Sequence, residues 1–487
     1  SDLVAGQRAY FNTGVTRNLA WRKEQLMAMV RLIDENEQEL IDCLAKDLHK
    51  HRNEAVLMET AMIRNDAISF VNELDVWAAP EPVKKPLQNF ADTAYIQPEP
   101  YGVTLLLGAW NYPVQLVFLP LLGCIAAGNT CVIKPSEVSE RCAAAIERLV
   151  PKYLDPKAFA VVNGGVPETT ALLRERYDYI FYTGNTVVGK IIYEAAAKHL
   201  TPVTLELGGK SPVYIDDSCD LDIVAQRVAW GRFMNCGQTC IAPDYVMCTK
   251  EVQEALIKKL EEKIKKFYTD NPQQSDSFGR IVNSRHVQRV MNLMTSGTTA
   301  IGGQVDEADN YIAPTVLKDC KPSDPAMKEE IFGPVLPIMT VRDEDEAIQY
   351  INSGERPLAL YVFSTRAPTV DKFLNLTNSG SVCVNDTIMH IALETLPFGG
   401  VGNSGIGAYH GKFSFDTYSH RKPVMKRRMG MEQGNELRYP PYTAKKLSTI
   451  SWITKKSLKK GGLMGFMPVV ALGVVLAFVL KLMGFEK

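Results

Sequence analysis

A chain of 487 residues exceeds what a single hydrophobic core holds, so two or three structural lobes are expected. Its 54 Lys and Arg nearly balance 55 Asp and Glu, which removes the electrostatic footprint of a phosphate-backbone binder, and no nucleic-acid partner is expected. Ten cysteines follow no disulfide-framework spacing and no N-terminal apolar stretch announces secretion, which predicts a reducing, cytosolic setting.

In chain order, Leu26, Met29, Val30, Ile33, Leu40, Ile41 and Leu44 recur at three- and four-residue spacing among charges. That spacing predicts an amphipathic helix pair covering a sheet. Between Trp77 and Pro100, Pro80, Pro82, Pro86, Pro98 and Pro100 break any continuous helix and mark an excursion from the main domain. From Val103 short apolar strands alternate with helices: Val103–Leu107, Thr130–Lys134, Phe159–Asn163, Tyr179–Tyr182 and Val203–Glu206. Strands joined by helical crossovers form a parallel sheet, and such sheets bind ligands beyond the carboxyl ends of their strands. Gly108, Trp110 and Asn111 follow the first strand; Lys134, Ser136 and Glu137 follow the second. Thr183 to Thr186 and Gly189 follow the fourth, and Leu207 to Lys210 the last.

A second alternating region predicts a second α/β lobe, with helices over Leu221–Met234 and Val252–Phe267 and strands at Tyr245–Cys248, Val335–Thr340 and Ala359–Phe363. A basic, Tyr-Pro-containing stretch links His420 to Lys460, within which Leu447–Leu458 reads as an interfacial helix. Leu463–Leu480 then carries no charge or hydrogen-bonding side chain, roughly 27 Å if helical, close to a bilayer core. It is read as a membrane anchor, and Lys455, Lys456, Lys459 and Lys460 place the preceding chain on the cytosolic side. A buried terminal helix or a dimer contact is the alternative.

Three patterns carry candidate chemistry. Gly184-Asn185-Thr186-Val187-Val188-Gly189 lacks the dinucleotide G-x-G-x-x-G spacing. It is either a tight turn with Thr186 as helix cap or a helix N-terminus that receives a phosphate. Lys134 and Glu137 are either a solvent-facing ion pair or a ribose-binding pair whose carboxylate repels a 2′-phosphate and so favours NAD over NADP. In Asn235-Cys236-Gly237-Gln238-Thr239-Cys240, a cysteine in a small, polar loop after a helix is a candidate nucleophile, whereas Cys124, Cys131 and Cys383 sit in apolar runs of the inert kind. No histidine stands near that loop, and Glu206, at a strand end beside a double glycine, is the available carboxylate. Cys236 and Cys240 alone lack zinc spacing, and no metal is expected.

Trp110-Asn111-Tyr112-Pro113, Lys134-Pro135-Ser136-Glu137, Leu205-Glu206-Leu207-Gly208-Gly209-Lys210, Gly237-Gln238-Thr239-Cys240, Glu330-Ile331-Phe332-Gly333-Pro334 and Pro397-Phe398-Gly399-Gly400 stand in an order that resembles the aldehyde dehydrogenase superfamily, most closely the class 3 branch and its membrane-anchored fatty aldehyde type. The resemblance implies an α/β fold with a Rossmann-like NAD-binding domain (1–80 and 103–206) and an α/β catalytic domain (207–404). It also implies a β bridging or oligomerisation element (81–102 and 405–435), followed by a basic linker (436–462) and a C-terminal transmembrane helix (463–485).

By the same resemblance, Cys240 would attack the aldehyde, Asn111 and the Cys240 backbone N–H would hold the oxyanion, and Glu206 would activate water. Glu330 would be a rival base. Glu330 and Phe332 would position nicotinamide ribose and ring, and Lys134, Glu137, Gly184, Asn185, Thr186 and Gly189 the rest of NAD, with NADP a weaker cofactor. Tyr112, Ile388, Met389 and Ile391 are expected at an apolar substrate entrance. A homodimer on the cytosolic face of the endoplasmic reticulum is expected, oxidising medium- and long-chain aldehydes, with peroxisomal or outer mitochondrial membrane as alternatives. Acyl release to coenzyme A and a non-catalytic tethered protein are the competing readings.

Overall fold

The computed structural model describes residues 2–86, 89–430, 432–456 and 458. The expected membrane anchor at 463–485 lies outside the described residues, and among those described no helix is long and apolar enough to cross a membrane. The chain divides into a larger unit, residues 2–81 and 96–422, and a smaller one made of 82–95 and the described residues after 422.

Among the described residues the larger unit carries two large sheets and a two-stranded one, Val305–Asp306 with Tyr311–Ile312. In the first, the parallel strands lie in the order Val203–Glu206, Tyr179–Thr183, Val103–Leu107, Thr130–Lys134 and Phe159–Val161. All five residues of Val103–Leu107, Thr130–Lys134 and Tyr179–Thr183 are buried, as a sheet covered on both faces requires. Val103–Leu107 comes first in the chain but lies centrally, so the winding reverses between it and Tyr179–Thr183, and a crevice opens beyond Leu107 and Thr183. Gly405–Ile406 adds an antiparallel edge beside Val203–Glu206, pairing Gly405 with Glu206.

The second sheet has seven strands, in the order Thr298–Ile301, Thr315–Lys318, Val335–Thr340, Tyr245–Cys248, Pro212–Ile215, Ala359–Phe363 and Ser381–Val384. Only the first of these is antiparallel to its neighbour. Four of them, Pro212–Ile215, Thr298–Ile301, Thr315–Lys318 and Ser381–Val384, were not expected from sequence. Each is four residues long and so offers little alternation to read, although Tyr245–Cys248, equally short, was expected.

The N-terminal periodicity belongs to one long helix, Leu19–Leu48, opened by the side chain of Asn18 accepting from Ala20 N–H and closed by His49 at φ 52°. It packs on helices Ala61–Trp77, Glu140–Tyr153 and Gln115–Ala127. The expected helix pair is thus one long helix packed mainly on other helices, while helices Gln115–Ala127 and Glu140–Tyr153 reach the first sheet, as does Asp2–Asn12, whose Gln7 donates to the Cys131 and Ala158 carbonyls. Gln115–Ala127 is buried along its whole length, so nothing in it shows an amphipathic stripe.

In the smaller unit, Arg427 pairs with Asp92 at 3.1 Å. Its helix spans Ala444–Thr454, three residues N-terminal of the expected start, because Thr443 caps it by accepting from Lys446 N–H. Leu447 and Trp452 on this helix are both more than two-thirds exposed.

Candidate active site

The crevice at the winding reversal opens into a cavity of about 830 Å³. Nine of the sequence-predicted residues line it together: Asn111, Lys134, Glu137, Gly184, Asn185, Glu206, Cys240, Glu330 and Phe332. They come from strand ends of the first sheet, from the loop after helix Leu221–Phe233, and from the segment before strand Val335–Thr340.

Cys240 sits at the end of a backbone that L-residues adopt reluctantly. Asn235, Cys236 and Gly237 have φ of 52°, 54° and 73° in succession, so the chain coils left-handed just before Cys240. Such a run persists only when its surroundings fix it. Here Asn235 N–H donates to Glu54 Oε2 at 3.0 Å, and the Asn235 amide donates to the Asn111 carbonyl at 2.8 Å. Gln238 accepts from Val282 N–H at 2.9 Å while its own Nε2 donates to the Arg280 carbonyl, also at 2.9 Å. Downstream, the Tyr361 hydroxyl donates to the Ile241 carbonyl at 2.6 Å.

Electrostatically the site favours neutral forms. Burial raises the Cys240 thiol well above its ordinary value, reinforced by Glu330 and Glu206, although the backbone N–H groups of Cys240 and Ile241 point at the sulfur and favour its anion. Burial alone raises Glu206 well above the carboxylate range, and neither of its oxygens has a protein partner. Glu330 is raised to about 8, by burial first and then by Asp244, against a hydrogen bond from Gly209 N–H. Two carboxyls with raised pKa beside a thiol can exchange protons near neutral pH.

Asn111 is buried, and its Nδ2 donates to the Gln238 carbonyl at 3.0 Å, which fixes the amide plane and leaves its second N–H for a ligand. The loop bearing Asn111 is anchored by a buried ion pair that sequence reasoning missed. Lys50 Nζ lies 2.5 Å from Glu59 Oε1 and donates to the Asn111 carbonyl at 3.1 Å. Glu59 Oε2 then accepts from Val114 and Gln115 N–H, at 2.9 and 3.2 Å, at the start of helix Gln115–Ala127. Glu59 reaches this place from a single π-helical turn, Val56–Thr60.

The residues fit a dinucleotide. Lys134, buried, holds half-exposed Glu137 at 2.8 Å at the cavity wall, so the pair is not the solvent-facing kind. Helix Thr186–Ala197 begins at the cavity, but its cap is Asn185, whose side chain accepts from Val188 N–H at 2.9 Å; Thr186 instead donates to the Asn403 carbonyl. Val166 and Ile191 line this cavity and are each more than half exposed, an apolar wall suited to a planar base. Thr183 Oγ1 and Glu330 Oε1 are buried without a protein partner. Trp110 and Phe332 meet edge to face at 5.4 Å, with His286 beside Trp110 at 5.2 Å.

Other expected contacts fall elsewhere. Gly189 does not line this cavity; a Cβ there would meet Leu207 Cδ2 at 2.7 Å, so the glycine lets its helix approach the chain just after the last strand. Thr186 lines a neighbouring cavity of about 580 Å³, which shares Gly208 and Glu330 with the first. None of Tyr112, Ile388, Met389 and Ile391 lines the larger cavity. Tyr112 is buried, its hydroxyl 2.7 Å from Thr239 Oγ1 and its ring under Lys50 Nζ; Ile388 is buried at φ 64°; Met389 is about half exposed. Phe398 and Tyr409, to which no role was given, do line it. No cluster of metal-ligating side chains occurs among the described residues.

Comparison with known proteins agrees with this geometry. A family model described as "Aldehyde dehydrogenase family" matches residues 4–424. The chain is 49% identical to aldehyde dehydrogenase family 3 member A2 of Mus musculus over 474 residues, 97% of this chain and 98% of the relative. It is 52% identical to the Mus musculus protein named "Aldehyde dehydrogenase, dimeric NADP-preferring", covering 91% of this chain and 98% of that one. Among solved structures, the substrate-bound state of Staphylococcus aureus AldH superimposes with a TM-score of 0.91 at 41% identity, covering 93% of this chain and 99% of that one.

Proposed function

The chain belongs to the aldehyde dehydrogenase family, in its class 3 branch, and on that premise we propose that it oxidises medium- and long-chain aliphatic aldehydes to carboxylic acids with NAD. The observation that carries the proposal is the convergence of Cys240, Asn111, Glu206 and Glu330 on one cavity at the winding reversal of the first sheet.

Glu206 or Glu330, each with a raised pKa, takes the Cys240 proton, and the thiolate attacks the carbonyl carbon to form a thiohemiacetal. The Asn111 amide and the Cys240 N–H receive the developing oxyanion. Lys134, Glu137, Asn185, Glu330 and Phe332 would hold a dinucleotide, which when bound would supply the hydride acceptor. The thioester left on Cys240 is hydrolysed by water that Glu206 deprotonates, and its apolar surroundings keep that carboxylate basic.

The lipid character of the substrate rests on the apolar run Leu463–Leu480 with its lysine flank, which we read as an anchor on the cytosolic face of the endoplasmic reticulum. A homodimer is supported by the word dimeric in the mouse relative's name; the same name marks NADP as a competing cofactor.

Single-turnover kinetics test the roles. Cys240→Ala abolishes NADH formation, whereas Glu206→Gln gives a burst of one NADH per site and then stalls. A Cys240→Ala protein that still oxidised aldehyde would falsify the assignment. The substrate class fails if kcat/KM does not rise from hexanal to hexadecanal.

A further inference from the structure

Glu330 and Phe332 stand on a segment whose shape is not its own choice. Phe332 has φ 49°, left-handed for a bulky residue, so outside contacts must hold it. Several hydrogen bonds from neighbouring segments hold residues 329 to 333 in place. The Glu329 carbonyl accepts from Lys210 Nζ at 3.0 Å, and the Glu330 and Ile331 carbonyls accept from Arg289 at 3.1 and 2.5 Å. Ile331 N–H donates to Asp244 Oδ1 at 3.2 Å, and the Gly333 carbonyl accepts from Arg232.

Three of these partners form one buried group. Asp244 Oδ1 accepts from Arg232 Nη1 at 3.0 Å, and Asp244 Oδ2 lies 2.6 Å from Lys210 Nζ. Arg232 and Asp244 side chains are almost wholly buried, and Lys210 is mostly so. Arg232 ends the helix that precedes the cysteine loop, Lys210 follows the double glycine after Glu206, and Asp244 lies four residues beyond Cys240. One carboxylate thus ties all three catalytic segments together. Two buried cations so close together need it, since either without a counter-charge costs several kcal/mol.

We propose that Asp244 is a positioning residue of the reaction: by gathering Arg232 and Lys210 it sets Glu330 and Phe332 against Cys240 and the bound dinucleotide. The inference rests on the cofactor and base roles given to those two residues above. Asp244 also adds to the field on Glu330, which Asp244 and Cys240 face with negative or neutral groups and Lys210, Arg289 and Arg232 with positive ones.

The test is Asp244→Asn in the full chain, with rates expressed per reactive Cys240 counted by thiol alkylation. Displacing a positioned group by about 1 Å costs up to about 100-fold in rate. We expect KM for NAD to rise about tenfold or more with KM for aldehyde little changed. The acid limb of the kcat profile should move to lower pH, because removing the neighbouring negative charge makes Glu330 easier to ionise. A purely structural role would reduce the number of reactive sites and leave both readouts unmoved per site, which overturns the proposal. Should Asp244→Asn not fold, Lys210→Gln carries the same KM comparison, because it releases the Glu329 carbonyl while leaving Asp244 paired with Arg232. An NADH burst from the unmutated protein is measured alongside; its absence sinks the enzymatic reading instead.

Discussion

No Cβ fits between Gly208 and the carboxylate of Glu330: built on this backbone, it would overlap Oε2. The double glycine after Glu206 therefore serves the second carboxylate as well as its own turn. Gly208→Ala must push Glu330 aside while leaving Cys240 and Glu206 in place. The expected outcome is a drop in kcat/KM for NAD of about 10- to 100-fold, read by steady-state kinetics, with Cys240 alkylation unchanged. Equal kinetics for the two proteins would show that Glu330 does not need its observed place.

The resting state of Cys240 follows from burial and from the two carboxylates near it. Its thiolate is scarce at neutral pH, so alkylation by iodoacetamide without cofactor should still be climbing at pH 9. At pH 9, above the value of about 8 to which Glu330 is raised, Glu330→Gln removes a negative charge that disfavours the thiolate and should raise the alkylation rate several-fold. A rate that plateaus below pH 8 would contradict the assignment.

Much of this was legible in the sequence because strand ends carry the chemistry. Once Val103–Leu107 and Val203–Glu206 are read as parallel strands, Asn111 and Glu206 fall where ligands bind. The wholly buried helix Gln115–Ala127 and the four-residue strands of the second sheet lack periodicity, so the lobe was legible but not its strand order. Lys50, Glu59 and Asp244 act at long sequence separation, and no local pattern marks them. Arg232 was the exception. A lone arginine in Val228-Ala229-Trp230-Gly231-Arg232-Phe233 is a charge in an apolar run, and such a charge needs a buried partner.

The proposed preference for NAD rests on Glu137, held 2.8 Å from buried Lys134. A 2′-phosphate would meet that carboxylate, and the lysine is occupied by it. Glu137→Gln removes the repulsion and frees part of the lysine's charge, so KM for NADP should fall about tenfold while that for NAD changes less. Spectrophotometric KM values for both cofactors decide it; an unchanged ratio would place phosphate selection elsewhere.

Lys50 and Glu59 are wholly buried and bonded at 2.5 Å, and Lys50 also holds the carbonyl of Asn111. Lys50→Met strands a buried carboxylate, which costs about 3–5 kcal/mol. Urea unfolding should register that loss. Lys50→Met with Glu59→Gln should recover part of it, and failure of the second change to help would mean the pair is not the cause.

Glu54 gives the fold a pH dependence with a defined sign. Burial raises it from an ordinary 4.5 to about 7, against the pull of Lys50 and the N–H of Asn235. The folded chain therefore binds this proton more tightly than the unfolded one. Stability from the protonated group is complete below about pH 4.5 and is lost as pH rises through about 7. The difference amounts to about 3 kcal/mol across the window. Glu54→Gln keeps an acceptor for Asn235 N–H and removes the ionisation, so the variant should match the parent at pH 5 and exceed it at pH 8. Asp66, also raised to about 7 by burial and by Glu394, adds a similar slope to both proteins and cancels in their difference. Thermal unfolding at the two pH values measures that difference, and a gap that is the same at both would rule Glu54 out as its source.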